Sequence, residues 1–119
     1  MTERQAMVVD DHPTNRLIAM ALLRKAGWQV QEADSGEAAL KLAQNTTFEL
    51  ILLDISMPGL SGEETCERLR QLPNAGPARI IAYTAHAFEE ERTRFLAHGF
   101  DDILVKPINR ERLQEILAR

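Results

Sequence analysis

The sequence predicts a doubly wound α/β domain, with five parallel strands in one sheet and helices on both faces. Two observations carry that expectation. Short apolar runs recur and each ends in a polar residue: Ala6 to Val9 before Asp10 and Asp11, Leu50 to Leu53 before Asp54, and Ile80 to Tyr83 before Thr84. Amphipathic stretches with helix start and stop signals fill the gaps between these runs. Runs this short, rich in Val, Ile and Leu and not strictly alternating, suit strands buried on both faces of a parallel sheet. Parallel neighbours require crossover connections, and right-handed crossovers reduce the topologies to a doubly wound sheet.

The elements follow in order. The first strand covers Ala6 to Val9. Thr14 to Ala26 then reads as a helix, with Leu17, Ile18, Ala21, Leu22 and Lys25 at three- and four-residue spacing and Gly27 as its stop. Gln29 to Ala33 is a weaker strand. Ser35 caps a second helix running to about Asn45, with Ala39, Leu42 and Ala43 as its buried face. After the third strand, Ser61 and Glu64 have capping-box spacing and open a helix carrying Cys66 and Leu69 on one side. Leu72 to Ala78, with Pro73, Gly76 and Pro77, is expected to be irregular. Phe88, Phe95 and Leu96 mark a fourth helix ended by Gly99. Ile103 to Val105 is the fifth strand, and Asn109 caps a last helix with Leu113, Ile116 and Leu117 inward.

Composition sets bounds on function. A chain of 119 residues fits one compact domain, residues 1–119, and buries enough surface to need no staple. The net charge of −4 argues against a broad basic face for nucleic acid. A single cysteine, Cys66, fits a reducing compartment. The apolar runs are too short to span a bilayer, and the polar start, Met1 to Met7, lacks a secretion signal's apolar core. The expected location is the cytoplasm with no membrane contact by this domain, although a parent protein anchored in the inner membrane is compatible with it.

In an open parallel sheet, ligands collect at the carboxyl ends of the strands. Those ends carry Asp10, Asp11, Asp54, Thr84 and Lys106. Two carboxylates about 4 Å apart repel by roughly 4 kcal/mol at an effective dielectric of 20. Three such groups with one lysine therefore call for a further cation, and a hard divalent ion with oxygen ligands, magnesium, is the natural one. The same set suits phosphoryl transfer, which needs a nucleophile, a metal and cations over the phosphoryl oxygens. A carboxylate can be that nucleophile. Asp54 follows the most apolar strand, expected at the centre, and is the best placed. Lys106 would hold one phosphoryl oxygen and Thr84 would donate to another, while Asp10 and Asp11 held the metal.

These residues, in this order, resemble the receiver domains of two-component signalling. The pieces are VVDD at Asp10 and Asp11, LLDISMPGLSG around Asp54, the TA pair at Thr84 and Ala85, and KP at Lys106 and Pro107. The resemblance runs from about Met7 to Leu117. It implies the flavodoxin-like form of the (βα)5 sheet, Asp54 as phosphoacceptor, Thr84 as switch hydroxyl and Lys106 as phosphate clamp. It further implies Mg2+ held by Asp10, Asp11, Asp54 and the backbone carbonyl of Ser56, with Asp10 acting partly through water, and a cis bond at Lys106–Pro107. DDHPTNR, from Asp10 to Arg16, and AYTAHA, from Ala82 to Ala87, are similar to receivers attached to hybrid sensor histidine kinases. The implied partners are a histidine kinase or a histidine phosphotransfer domain, met through the first helix near Pro13 to Leu17.

Simpler readings compete. An Asp after a strand often caps the next helix. His12, His86 and His98 lack metal-ligand spacing and read as surface residues, and Cys66 reads as packing. An aspartyl-phosphate phosphatase of the haloacid dehalogenase type would want a second Asp two residues after Asp54, where Ser56 stands. A receiver fold that never takes phosphate, a pure interaction module, would be favoured by loss of Asp11, Asp54 or Lys106, and all three are present. A nucleotide-binding enzyme is disfavoured by the lack of a G-x-G-x-x-G or G-K-[ST] loop. The chain departs from many relatives at Ile103, where they carry Tyr or Phe three residues before the lysine. The expected outcome is a switch in which Thr84 and its loop move with little aromatic rotation. A pair of structures with and without a phosphoryl mimic checks this, and a large ring swing would contradict it.

Overall fold

The computed structural model describes residues 4–86 and 88–118. Met1 to Glu3, Ala87 and Arg119 lie outside the described residues, and with them the first part of the polar N-terminal stretch and the last residue of AYTAHA. Strands and helices alternate five times: β1 (Gln5–Val9), α1 (Pro13–Lys25), β2 (Gln29–Ala33), α2 (Gly36–Asn45), β3 (Leu50–Asp54), α3 (Gly62–Arg70), β4 (Arg79–Thr84), α4 (Glu89–Ala97), β5 (Asp102–Val105) and α5 (Arg110–Leu117). The strands form one parallel sheet in the order β2-β1-β3-β4-β5. This is a doubly wound (βα)5 sheet, and β3 is central as expected.

Successive strand side chains point to opposite faces, so each strand feeds two cores. On one face Met7, Val9, Ile51, Leu53, Ile80 and Ala82 pack with Ala39 and Ala43 of α2, Cys66 and Leu69 of α3, and Phe95 of α4. On the other, Ala6, Val8, Leu50, Leu52, Ile81 and Tyr83 pack with Ala19, Met20 and Leu23 of α1 and Leu113 and Ile116 of α5. All five residues of β3 are buried. That is why its sequence reads as an unbroken apolar run.

The helix starts use the caps legible in the sequence. The Ser35 hydroxyl accepts the Ala38 amide at 3.1 Å, the Ser61 hydroxyl accepts the Glu64 amide at 3.1 Å, and the Asn109 side chain accepts the Arg112 amide at 2.9 Å. Each satisfies an amide that the helix itself leaves open, worth about 1 kcal/mol. Helix α1 differs from expectation in the face it buries. Ala19, Met20 and Leu23 are inside, whereas Leu17 is 62% and Ile18 47% exposed. Residues 17–23 are all apolar, so periodicity has no polar face to orient it. In α4 only Phe95 of the three marker residues turns inward, while Phe88 and Leu96 are exposed.

The end of the sheet opposite the strand carboxyl ends is tied by Arg70. Its guanidinium donates to the carbonyls of Gly76, Ala78 and Gly99 at 2.5–2.9 Å and to Asp101 Oδ2 at 2.7 Å. Asp101 in turn accepts the Ile80 amide at 2.9 Å. One side chain thereby fixes the irregular segment before β4 and the turn before β5.

The start of α3 is held against the end of β3 by the absence of a side chain at Gly62. A Cβ there would meet the Asp54 carbonyl oxygen at 2.5 Å and the Ile55 Cα at 2.8 Å, both backbone atoms that cannot swing aside. Gly62→Ala is expected to cost about 1–3 kcal/mol, the range for overpacking. Thermal or urea unfolding measures it, and an unchanged midpoint would contradict this account of the contact.

Candidate functional site

The chain leaves β1 on one side of the sheet to make β2 and returns on the other to make β3, so the winding direction reverses between β1 and β3. Crossovers diverge at such a point and leave a crevice beyond the strand ends. Asp10 and Asp11 follow β1, and Asp54 is the last residue of β3. The register that pairs Val9 with Leu53 brings them together. Among the described residues, Asp10, Asp11 and Asp54 each present an oxygen, all within 4.8 Å of one another.

Their surroundings are built from backbone. The Asp10 amide donates to the Ala33 carbonyl at 3.1 Å, and Asp10 Oδ1 accepts the His12 amide at 2.9 Å. The Ser56 amide donates to Asp54 Oδ1 at 3.3 Å. Lys106, just beyond β5, brings its ammonium to 3.1 Å from Asp54 Oδ1 and 3.4 Å from Asp10 Oδ2. The ammonium also lies 4.8 Å from the centroid of the Tyr83 ring. The Lys106–Pro107 peptide is cis, as expected.

Asp10 is fully buried and Asp54 is 2% exposed. Burial pushes the Asp54 carboxyl up to about 6, against the pull of Lys106 and with a further push from the Asp10 charge. Burial also raises the Tyr83 phenol to about 12, with Asp10 adding to it. Asp10 Oδ2 and Asp11 Oδ1 are buried and accept no hydrogen bond. Orphaned carboxylate oxygens are costly. A set of hard oxygen donors, with Asp11 Oδ1 lacking a hydrogen bond and Asp10 Oδ2 facing the Lys106 ammonium at 3.4 Å, fits a divalent cation of the magnesium type.

The structure thus brings together four of the residues singled out from sequence: Asp10, Asp11, Asp54 and Lys106. Thr84 ends the adjacent strand β4, buried, and its hydroxyl accepts the His86 amide at 3.3 Å. Ser56 is exposed, and its bond to Asp54 is made by the amide. His86 stacks on Phe88 at the rim, with ring centroids 5.6 Å apart. His98 sits elsewhere, with Nδ1 2.6 Å from Glu67 Oε1. From sequence Arg16 figures only within DDHPTNR and the Pro13 to Leu17 partner stretch, with no part in the acidic site, yet it reaches that site: its Nη1 donates to the Asp10 carbonyl at 2.8 Å. A cation one turn into the helix after the acidic pair is the available signal.

The model of the response regulator receiver domain family matches residues 6–118. The chain belongs to that family. As a receiver domain it is 42% identical over 113 residues to the signal transduction histidine-protein kinase BarA of Escherichia coli K12, covering 95% of this chain and 12% of BarA. It is 41% identical over 124 residues to the virulence sensor protein BvgS of Bordetella pertussis Tohama I, covering 97% of this chain and 10% of BvgS. The receiver domain therefore spans about a tenth of the length of the curated relatives it matches. Among solved structures, chemotaxis protein CheY4 of Vibrio cholerae superposes with a TM-score of 0.93 at 30% identity, over 99% of this chain and 98% of that one. The receiver domain of sensor histidine kinase PA1611 from Pseudomonas aeruginosa PAO1 gives 0.88 at 33% identity, over 99% and 97%, and carries a magnesium ion in its active-site cleft.

The raised Asp54 carboxyl couples stability to pH. The folded receiver domain holds the Asp54 proton more tightly than the unfolded chain, so this group favours folding below its ordinary value of 3.8 and loses that contribution as pH rises through about 6. Asp54→Asn removes the charge. In metal-free buffer at neutral pH the variant is expected to be more stable than the parent by about 1–3 kcal/mol, a gap that closes in acid. Melting curves across pH test this, and a variant less stable than the parent at neutral pH would contradict it.

Proposed function

We propose that this receiver domain accepts a phosphoryl group onto Asp54 from the phosphohistidine of a histidine kinase or histidine phosphotransfer domain. It then either switches conformation or passes the group to a histidine phosphotransfer domain. The observation that carries this reading is the buried Asp54 carboxylate, which ends the central strand, faces the Lys106 ammonium at 3.1 Å and shares one gap with Asp10 and Asp11. An Asp54 oxygen attacks phosphorus, the phosphorus–nitrogen bond of the donor breaks, and its electron pair returns to the imidazole. The product is an acyl phosphate. With its carboxyl at about 6, Asp54 is mostly ionised at neutral pH and ready to attack.

The groups around it have separate tasks. Lys106 exchanges its bond to Asp54 for one to a phosphoryl oxygen. Thr84 releases the His86 amide and turns its hydroxyl toward another, which moves the β4–α4 loop. Asp10, Asp11, Asp54 and the Ser56 carbonyl would hold Mg2+, and the magnesium-bound PA1611 receiver supports that choice. The metal supplies charge neutralisation for the crowded carboxylates and the phosphoryl oxygens.

The partner meets the site from α1. Leu17 and Ile18 are exposed there, and a hollow lined by Asn15, Ile18, Tyr83, Lys106, Pro107 and Ile108 opens beside the lysine. Exposed apolar residues next to the reacting group suit a phosphohistidine-bearing helix. Likeness to BarA and BvgS supports a sensor kinase as the parent protein. No helix among the described residues is long and apolar enough to cross a membrane, so any anchor would lie elsewhere in that parent.

Incubation with a small phosphodonor and MgCl2, followed by intact mass measurement, is expected to show one added phosphoryl group. Asp54→Asn, or chelation of the metal, abolishes it, and Lys106→Ala reduces it by at least about tenfold, the loss of one charge-assisted contact. Equal labelling of the Asp54→Asn variant would end the proposal.

A further inference from the structure

Arg16 lies on α1 one turn after the acidic pair, and its side chain is only 15% exposed. Its two ends do different things. Nη1 donates to the Asp10 carbonyl at 2.8 Å, and Nε donates to Glu32 Oε1 at 2.8 Å. Glu32 belongs to β2, the edge strand, and the next residue, Ala33, accepts the Asp10 amide at 3.1 Å. The peptide groups on both sides of Asp10 are therefore fixed by β2: the preceding one directly, the following one through Arg16.

That arrangement bears on the candidate metal ligands. A peptide group is planar, so fixing the Asp10 carbonyl also fixes the direction of the Asp11 amide and Cα. Asp11 Oδ1 is buried and accepts no hydrogen bond, so nothing at that oxygen fixes where it points. The backbone from which the Asp11 side chain starts is held by Arg16 through the Asp10 carbonyl. The guanidinium fork matters here. It spans a carbonyl and a carboxylate at once, which a single ammonium on a flexible stem does not do in fixed geometry. The Glu32 carboxylate balances the Arg16 charge, so the effect on the cluster is geometric more than electrostatic.

We propose that Arg16, anchored by Glu32, is a positioning residue that presets Asp10 and Asp11 for the divalent cation. The inference rests on the magnesium-dependent reading given above. Groups that orient ligands from outside the coordination sphere commonly contribute about tenfold or more to metal affinity.

The test is a MgCl2 titration of the 119-residue chain, followed by amide NMR shifts, for the parent, Arg16→Ala, Arg16→Lys and Glu32→Gln. Arg16→Ala is expected to raise the magnesium dissociation constant about tenfold. Arg16→Lys fails to restore it. Glu32→Gln, at a half-exposed residue that should not endanger folding, shifts it in the same direction by about threefold, a smaller share of the same effect. With a small phosphodonor, Arg16→Ala needs more magnesium for half-maximal labelling but reaches the parent's rate at saturating metal. A lower melting temperature with unchanged magnesium affinity would mean a structural role only and would overturn the inference. So would full rescue by lysine, or an unshifted affinity in Glu32→Gln. A parent protein with no saturable magnesium binding would instead sink the metal reading on which the inference stands.

Discussion

Crowded negative charge at the end of β1 and β3 is the constraint on which this molecule depends. Three carboxylates sit within one gap, against one ammonium. In water such a cluster would spread apart. Here two of the acids are held by the sheet: Asp54 ends the fully buried central strand, and Asp10 follows β1 with its amide bonded to the β2 carbonyl of Ala33. The fold accepts an electrostatic cost in order to keep the oxygens close. That cost shows as the Asp54 carboxyl, raised by burial and further by the Asp10 charge, and as two buried oxygens that accept no hydrogen bond. A site held in an unsatisfied state fits a divalent cation and, under the proposed function, an added phosphoryl group.

What withstands this cost is the two-sided core. Every strand contributes to the packing on at least one face, and the central ones contribute to both. The far end of the sheet is tied by the Arg70 guanidinium, where three carbonyls and one carboxylate surround a single cation. Chemistry and fastening are thus segregated to opposite ends.

Much of this is legible in the sequence, for identifiable reasons. Strands β1, β3 and β4 are buried on both faces, so they appear as apolar runs, and each stops at the residue that reaches the cleft. The caps at Ser35, Ser61 and Asn109 are local and can be read from spacing. The face of α1 is not legible, because seven successive apolar residues leave the hydrophobic pattern without a direction. The small side chain of Ala19 and the flexible one of Met20 fit against the sheet, and Leu17 and Ile18 are left outside. The contact from Arg16 to the Asp10 carbonyl is hidden for another reason. It is a side chain bonding to backbone, and its orientation depends on Glu32, sixteen residues away on a neighbouring strand.

The route from the site to the surface follows from what is fixed and what is not. Tyr83 is locked: it is buried in the α1 and α5 core with the Lys106 ammonium over its ring. Ile103, where a mobile aromatic would sit in many relatives, is packed on the other face with Phe95 and Phe100 in the same cluster. Neither can relay a change by swinging outward without opening a core. Thr84 differs. Its carbonyl is held by the Lys106 amide at 2.7 Å, and among the described residues its hydroxyl accepts a long bond, 3.3 Å, from the amide of His86. In the proposed switch, exchanging that bond would free the His86 amide, and the His86–Phe88 stack lies next to it at the surface. Under the proposed function, a phosphoryl group on Asp54 would reach these two exposed rings through one hydroxyl.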